Sequence, residues 1–366
     1  MRKLILLAGL LLAISMPVLT YAYEESVLVV LTYEEALALA LEDVPALQVL
    51  ENRLEELEKE RYDLNEDIRR MQWQVSTAVL DSMRHQRTEL DRQIAHTNLD
   101  IEILTLRQEQ LLQRAILTIA NTTLDLETAE ASIAITIEEV RRTERLHHFG
   151  LASATELRQA RSRLLAEEMN LSNLYIAAVN GLSNLNHLLG QPSYQETYIE
   201  WERELPEIPE NLSNHISALV LASQTIRQMQ INIYRRNEER AQHIEEYRQR
   251  GVPRPRRDCD VCEALDWAVD MAVLERTTTK RSMETALRIA FSNLEQLQTE
   301  EELARLTLAQ AEESLQAAKT NFELGRVTQF EIDRWMFAVF SAEQSIEGIL
   351  NQQWAAMLAL DNPVIL

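Results

Sequence analysis

The chain is short of the residues that make loops and compact cores. Seven glycines and eight prolines are spread over 366 residues, and aromatics make up 5%. Two ordinary globular domains filling this length would need more of each. Basic residues are also scarce: 36 against 58 acidic ones, a formal charge of −22, with only four lysines, Lys3, Lys59, Lys280 and Lys319. That balance excludes a nucleic-acid partner, because neutralising phosphates takes a basic surface. No nucleophile–base pairing, phosphate loop or complete metal-ligand set is present, so neither an enzyme nor a bound cofactor is expected. Beyond the N-terminal segment, no apolar run approaches the ~20 residues that span a bilayer as a helix.

What is abundant is Glu, Leu, Ala, Arg and Gln, strong helix formers with little to interrupt them. The N-terminus differs from the rest. Arg2 and Lys3 precede an apolar run from Leu4 to Ile14, the breaker Pro17, and then Thr20-Tyr21-Ala22. Small residues at the −3 and −1 places fit signal-peptidase cleavage after Ala22. Residues 1–22 therefore read as an export signal in preference to an uncleaved anchor, and the mature protein is expected in the cell envelope. No cysteine lies near the cleavage site to take a lipid.

Proline and glycine mark the organisation. No proline occurs between Pro45 and Pro192, and in that stretch Gly150 is the first glycine, followed by Gly181 and Gly190. Residues 191–211 carry Pro192, Pro206 and Pro209 with Tyr194, Tyr198 and Trp201, an extended connector. Helical sequence then resumes, broken at Gly251-Val252-Pro253-Arg254-Pro255 and at Gly325. From Leu287, steps of three and four residues land on Ala290, Leu294, Leu297, Glu301, Ala304, Leu308, Ala311, Leu315, Ala318 and Phe322. This heptad seam has Glu301 as its one polar member, read as a register or lumen-facing residue. A helix from about Glu263 to Glu323 would be about 90 Å long. Ile133, Ile135 and Ile137 alternate as a strand would, yet charged helical sequence flanks them and no turn residue bounds them, so helix is expected there too.

The chain repeats itself. His148-Phe149-Gly150-Leu151-Ala152-Ser153-Ala154-Thr155-Glu156-Leu157 matches Glu323-Leu324-Gly325-Arg326-Val327-Thr328-Gln329-Phe330-Glu331-Ile332. Each copy follows a long helix and opens another. The pattern reads as a tight helix-to-helix turn: Gly takes the left-handed conformation, Ser153 or Thr328 caps the next helix, and Glu156 or Glu331 stands three residues on. The division is then residues 23–190 for one helical-hairpin repeat, 191–211 for the connector and 212–366 for a second.

With these features the sequence resembles the TolC-like outer-membrane efflux proteins. The resemblance rests on Leu31-Thr32-Tyr33-Glu34-Glu35-Ala36-Leu37-Ala38-Leu39-Ala40-Leu41 followed by Pro45-Ala46-Leu47, on the two Gly-x-[Ala/Val]-[Ser/Thr] turns, and on the two-fold repeat over nearly the whole mature chain. It implies an all-α fold of long antiparallel coiled-coil hairpins, three copies of which close a twelve-helix barrel. It further implies a passive exit duct working with a membrane-fusion adaptor and an inner-membrane pump. Gly150, Leu151 and Ser153, with Gly325, Arg326 and Thr328, would then form the adaptor-binding turns. Acids just after the second turn often narrow the entrance in this family; Glu331 and Asp333 are the candidates, while Arg334 stands where the next acid is expected. The chain departs from the family at the membrane strands. The corresponding places, near residues 70–87 and 251–262, are too short for two spanning strands of about 9–11 residues each. A duct without its transmembrane β-barrel is expected.

Cys259 and Cys262 admit a disulfide or inert thiols, a redox pair, or half of a metal site shared between subunits. Lacking a close-spaced histidine pair to complete a zinc set, the pair reads first as structural, and no metal is expected. His147 and His148 read as solvated helix-end residues favoured by the dipole. The competing function is a structural coiled-coil spacer of the envelope that transports nothing; it has no need of paired turns.

Overall fold

A computed structural model describes residues 28–42, 44–201, 209, 211–249 and 259–361. The export signal at 1–22, part of the connector and the proline-containing stretch 251–255 lie outside the described residues. The elements run in two parallel series. The first is β1 (Val29–Thr32), α1 (Tyr33–Glu42), α2 (Pro45–Met71), α3 (Thr77–His148) and α4 (Ala154–Leu188). The second is β2 (Thr197–Glu200), α5 (Leu212–Ala222), α6 (Gln224–Gln249), α7 (Asp260–Glu323) and α8 (Gln329–Asp361). The fold is all-α, with one small parallel sheet among the described residues, which pairs β1 with β2 from Val29 opposite Thr197 to Thr32 opposite Glu200.

Two helices set the length. α3 has 72 residues and α7 has 64, about 108 and 96 Å at 1.5 Å per residue. Neither can bury its apolar face on itself, so each is lined along its length by two shorter antiparallel helices. Arg61 of α2 pairs with Asp91 in the first half of α3 at 3.5 Å, and Arg161 of α4 pairs with Glu144 near its end at 2.7 Å. In the second series Arg240 of α6 pairs with Asp266 of α7, and Gln353 of α8 donates to the Leu297 carbonyl at 3.2 Å. The seam anticipated on α7 is the packed one: Leu287, Leu294, Ala311 and Ala318 are buried, the members between them are half-buried, and only the terminal Phe322 is exposed. α7 begins three residues before the expected Glu263, because Cys259 serves as its cap.

The two series are joined through α3. Gln224 donates to Glu102 at 2.8 Å and Gln228 to Asp100 at 2.6 Å, placing α6 on its first half. Asn351 donates to Asn121 at 2.8 Å and Gln344 to Glu127 at 3.3 Å, placing α8 on its second half. These pairings run antiparallel to α3. They put the α3–α4 and α7–α8 turns at one end of the shaft, and the α2–α3 and α6–α7 connections at the other. α3 therefore packs on several faces, and this explains why Ile133, Ile135 and Ile137 look strand-like while lying in a helix, all half-buried.

Two matching cores sit mid-shaft. One gathers Ala36, Ala40, Leu112, Ile116, Leu185, Leu189 and Ile199; the other gathers Ile216, Val220, Ile226, Met283, Leu287, Phe291, Leu294 and Leu360. Trp201 and Trp354 meet with ring centroids 4.4 Å apart. Polar side chains fix the small elements. Asn186, fully buried, accepts from Thr197 Oγ1 and donates to the Gln195 carbonyl, both at 2.7 Å, tying β2 to the end of α4. Tyr33 donates to Glu109 and accepts from Gln113, which locks α1 on α3; burial, then the Glu109 carboxylate, push its hydroxyl pKa up. Between α2 and α3 the residues 72–76 form a short turn, with no strand.

Glu301 is held across the α7–α8 seam. Its carboxylate accepts from Gln353 Nε2 at 2.8 Å and pairs with Arg305 at 2.6 Å, and the Gln353 hydrogen bond leads in holding its pKa below the usual carboxylate range. Replacing Leu287, fully buried, by Ala is expected to cost about 2–5 kcal/mol in urea unfolding, whereas Leu303→Ala, at an exposed position, costs less than about 0.5 kcal/mol in the isolated chain. Because the Glu301 pKa is depressed by folding, its stabilisation is complete above the unfolded value of 4.5 and disappears as pH falls through the folded one. The stability difference between the native chain and Glu301→Gln should thus be largest near neutral pH and shrink in acid; a pH-independent difference would count against the ionic role.

Candidate functional site: the paired glycine turns

The two turns at one end of the shaft have the same backbone. Gly150 and Gly325 both have φ of +71°, a region where a Cβ is costly. Gly150 N–H donates to the His147 carbonyl at 2.9 Å and Leu151 N–H to the Leu146 carbonyl at 2.8 Å. Gly325 N–H donates to the Phe322 carbonyl and Arg326 N–H to the Asn321 carbonyl, both at 2.8 Å. This nested pair of bonds is the Schellman arrangement, which satisfies the last carbonyls of a helix and reverses the chain. A third copy closes α4 at Gly190, with φ of +64° and Gln191 N–H on the Asn186 carbonyl.

The helices that follow start differently. Ser153 forms a complete capping box: its hydroxyl accepts from Glu156 N–H at 3.1 Å, and the Glu156 carboxylate accepts from Ser153 N–H at 2.6 Å. These two bonds, the backbone donor first, hold the exposed Glu156 carboxyl below its ordinary range. At the second turn Glu331 N–H bonds the Thr328 carbonyl at 3.0 Å. His147 adds a closure of its own, with Nδ1 2.9 Å from the Ala152 carbonyl, and the His148 ring lies edge-on to Phe149 at 5.5 Å. Both histidines lie in the last turn of α3 and are exposed.

The tips present apolar surface to solvent. Phe149 is 73% exposed, Leu151 75% and Leu324 60%. The two turns are tied together by Arg142, whose guanidinium lies 5.5 Å from the Phe330 ring centroid. Glu331 and Asp333 sit half-buried in the first turns of α8, with Asp333 accepting from Gln329 Nε2 at 2.9 Å, while Arg334 is exposed. Sequence reasoning missed Phe149, Leu324 and the Arg142–Phe330 bridge. The first two were legible as the residue before each glycine; the bridge spans the repeats and has no local signal.

At the other end, Cys259 and Cys262, expected as a disulfide or as inert thiols, are both unbridged and half-buried. Cys259 Sγ instead accepts the Cys262 N–H at 3.2 Å as the cap of α7, so the sulfur is engaged with the helix start. The search for a close-spaced histidine pair passed over the single His243, whose Nε2 lies 3.7 Å from Cys259 Sγ.

No family model and no curated protein sequence matches the chain. Solved structures do resemble it. The outer membrane protein VceC of Vibrio cholerae has a TM-score of 0.65 at 13% identity, over 91% of this chain and 95% of that one. The outer-membrane channel OprN has a TM-score of 0.63 at 14% identity, over 91% and 89%. The CmeC outer membrane channel of Campylobacter jejuni has a TM-score of 0.64 at 11% identity, over 91% and 85%. The chain has the TolC-like fold of these channels.

Nothing lies within 4 Å of a Cβ added at Gly150 or Gly325, so a substitution there meets only backbone strain. Gly150→Ala and Gly325→Ala should each cost about 1 kcal/mol in urea unfolding, and Gly→Asn less, since Asn tolerates this region. Ser153→Ala should cost about 1 kcal/mol and speed amide exchange in the first turn of α4. An Asn variant as harmful as a Val variant would show that something other than the left-handed backbone is at stake.

Proposed function

We propose that the mature chain is the passive exit duct of a tripartite efflux or type I secretion-like export system in the cell envelope. The observation that carries this reading is the pair of equivalent glycine turns, brought to one end of a shaft about 100 Å long and exposing Phe149, Leu151 and Leu324. Gly150, Leu151, Ser153, Gly325, Arg326 and Thr328 form the surface that docks on a membrane-fusion adaptor, with the inner-membrane pump beyond it. Glu331 and Asp333 line the entrance. The channel-like fold supports the reading, and the duct needs no catalytic group: cargo moves by the pump's work.

Three copies assemble. The support is a second apolar seam that the single chain leaves uncovered. On α4, Leu165, Met169, Ile176 and Val179 are 57–67% exposed at heptad spacing, and on α7 Leu303 and Leu306 are 58% and 62% exposed. A helix with apolar residues on two faces suits a closed ring, in which each helix has a neighbour on both sides. The short 72–76 turn leaves no room for membrane strands at that connection, and the duct works without its own transmembrane barrel.

Light scattering and negative-stain imaging of residues 23–366 without detergent should give a hollow, elongated trimer. A monomer or a solid two-chain rod would leave the envelope spacer as the function, and a trimer appearing only in detergent would reinstate membrane strands. In cells, Gly150→Val together with Gly325→Val should abolish export while the chain still accumulates in the envelope; unchanged export would sink the duct.

A further inference from the structure

Far from the glycine turns, three soft or borderline ligands meet where α6 returns into α7. His243 lies in the last turns of α6; Cys259 caps α7 and Cys262 sits in its first turn. The His243 Nε2 and both Sγ atoms all lie within 4.8 Å of one another, and all three residues are half-buried. We propose that His243, Cys259 and Cys262 bind one thiophilic metal ion of the Zn2+ class, which clamps the α6–α7 hairpin at the end of the shaft. The proposal does not depend on the export reading.

The geometry is close to what a tetrahedral ion requires. Bonds of about 2.3 Å to sulfur and 2.0–2.1 Å to imidazole nitrogen put neighbouring donor atoms about 3.5–3.8 Å apart. Cys259 Sγ and His243 Nε2 are already 3.7 Å apart, so a small rotation of side chains seats the ion. The chemistry is right as well. Two thiolates and an imidazole select zinc-class or copper-class ions over magnesium or calcium. Cys259 stands at a helix N-terminus and its sulfur accepts the Cys262 N–H. Both features favour the thiolate, the form that binds metal. A disulfide would use only the two sulfurs and leave His243 without a role in the cluster, whereas a metal engages all three donors. Water completes the fourth position.

The site also answers a mechanical need. α6 and α7 are held here by Arg240–Asp266 on the surface, and salt bridges of this kind contribute little. The first buried apolar residues of α7, Val269 and Ala272, lie about two turns beyond the cluster. A metal bridging residues sixteen apart fixes the hairpin end without apolar material. Binding is coupled to proton release from the thiols, and no electron transfer is involved.

The test uses the full mature chain, purified under reducing conditions and titrated with Co2+ and Zn2+. One Co2+ per chain should bind, with a thiolate-to-cobalt charge-transfer band and the visible absorption of a four-coordinate ion; Zn2+ should displace it. Cys259→Ser and Cys262→Ser should abolish the charge-transfer band. His243→Ala should weaken binding by at least about tenfold, with far-UV circular dichroism unchanged to show that the helices persist. Zn2+ should also protect both thiols from a disulfide-exchange reagent, and EDTA should restore their reactivity. No stoichiometric metal in the reduced chain, or affinity unchanged in His243→Ala, would overturn the site. So would a Cys259–Cys262 disulfide in chain isolated from the envelope without added oxidant.

Discussion

Everything in this molecule depends on a single packing constraint: a helix about 100 Å long must be covered from end to end, and one partner is not long enough. α3 and α7 each take two antiparallel companions, α2 with α4 and α6 with α8. The joints between companions then have to fall mid-shaft. That is where the small elements collect: α1 and α5, the β1–β2 pair and the two hydrophobic cores. The seam that holds the pairs uses Leu and Ala in alternation. Its close approach permits helices to be added on a second side, which a bulkier seam would obstruct.

Long-range order was legible in the sequence wherever it had a period or a breaker. The Leu287 to Ala318 seam, the Gly150 and Gly325 reversals and the all-helical class follow from spacing and from glycine's conformational freedom. What escaped is of a different physical kind. The β1–β2 pair joins segments far apart in sequence and too short to show alternation. The break between α5 and α6 rests on Ser223 alone, whose hydroxyl accepts from Ile226 N–H at 3.3 Å. The bridge from Arg142 to Phe330 and the approach of His243 to Cys259 are products of tertiary register. Cysteine capping shifted the start of α7 because a thiol can do what Ser or Asp usually does. At the candidate site, glycine and cap positions were readable, while the exposed apolar residues beside them became meaningful only once both turns were seen at one end.

Polar contacts decide register where apolar ones cannot. Leu–Ala seams are tolerant of a slip by one heptad, since the same side chains meet again seven residues on. Glu301 held by Gln353, Asn121 by Asn351 and Glu127 by Gln344 have no such freedom. Each would leave a buried or half-buried polar group unsatisfied after a slip, at a cost of about 1–3 kcal/mol. The buried Thr136, donating to the half-buried Glu167 at 2.8 Å, does the same between α3 and α4. These residues specify one alignment, and so bring the two glycine turns to the same level.

That levelling links fold to function. Two reversals carrying apolar residues make one surface only if they end at the same height, and the height is set by helix lengths and register in both series. α4 has 35 residues and α8 has 33, α3 has 72 and α7 has 64. The second half of the shaft is thus nearly equal in the two repeats, and most of the difference is taken up toward the opposite end, where α6 turns into α7. There α7 is shorter, and the cysteine–histidine cluster stands at its start. The two series match at the turn end and differ at the far end, which is the asymmetry expected if the turns meet a partner and the far end has only to be held closed.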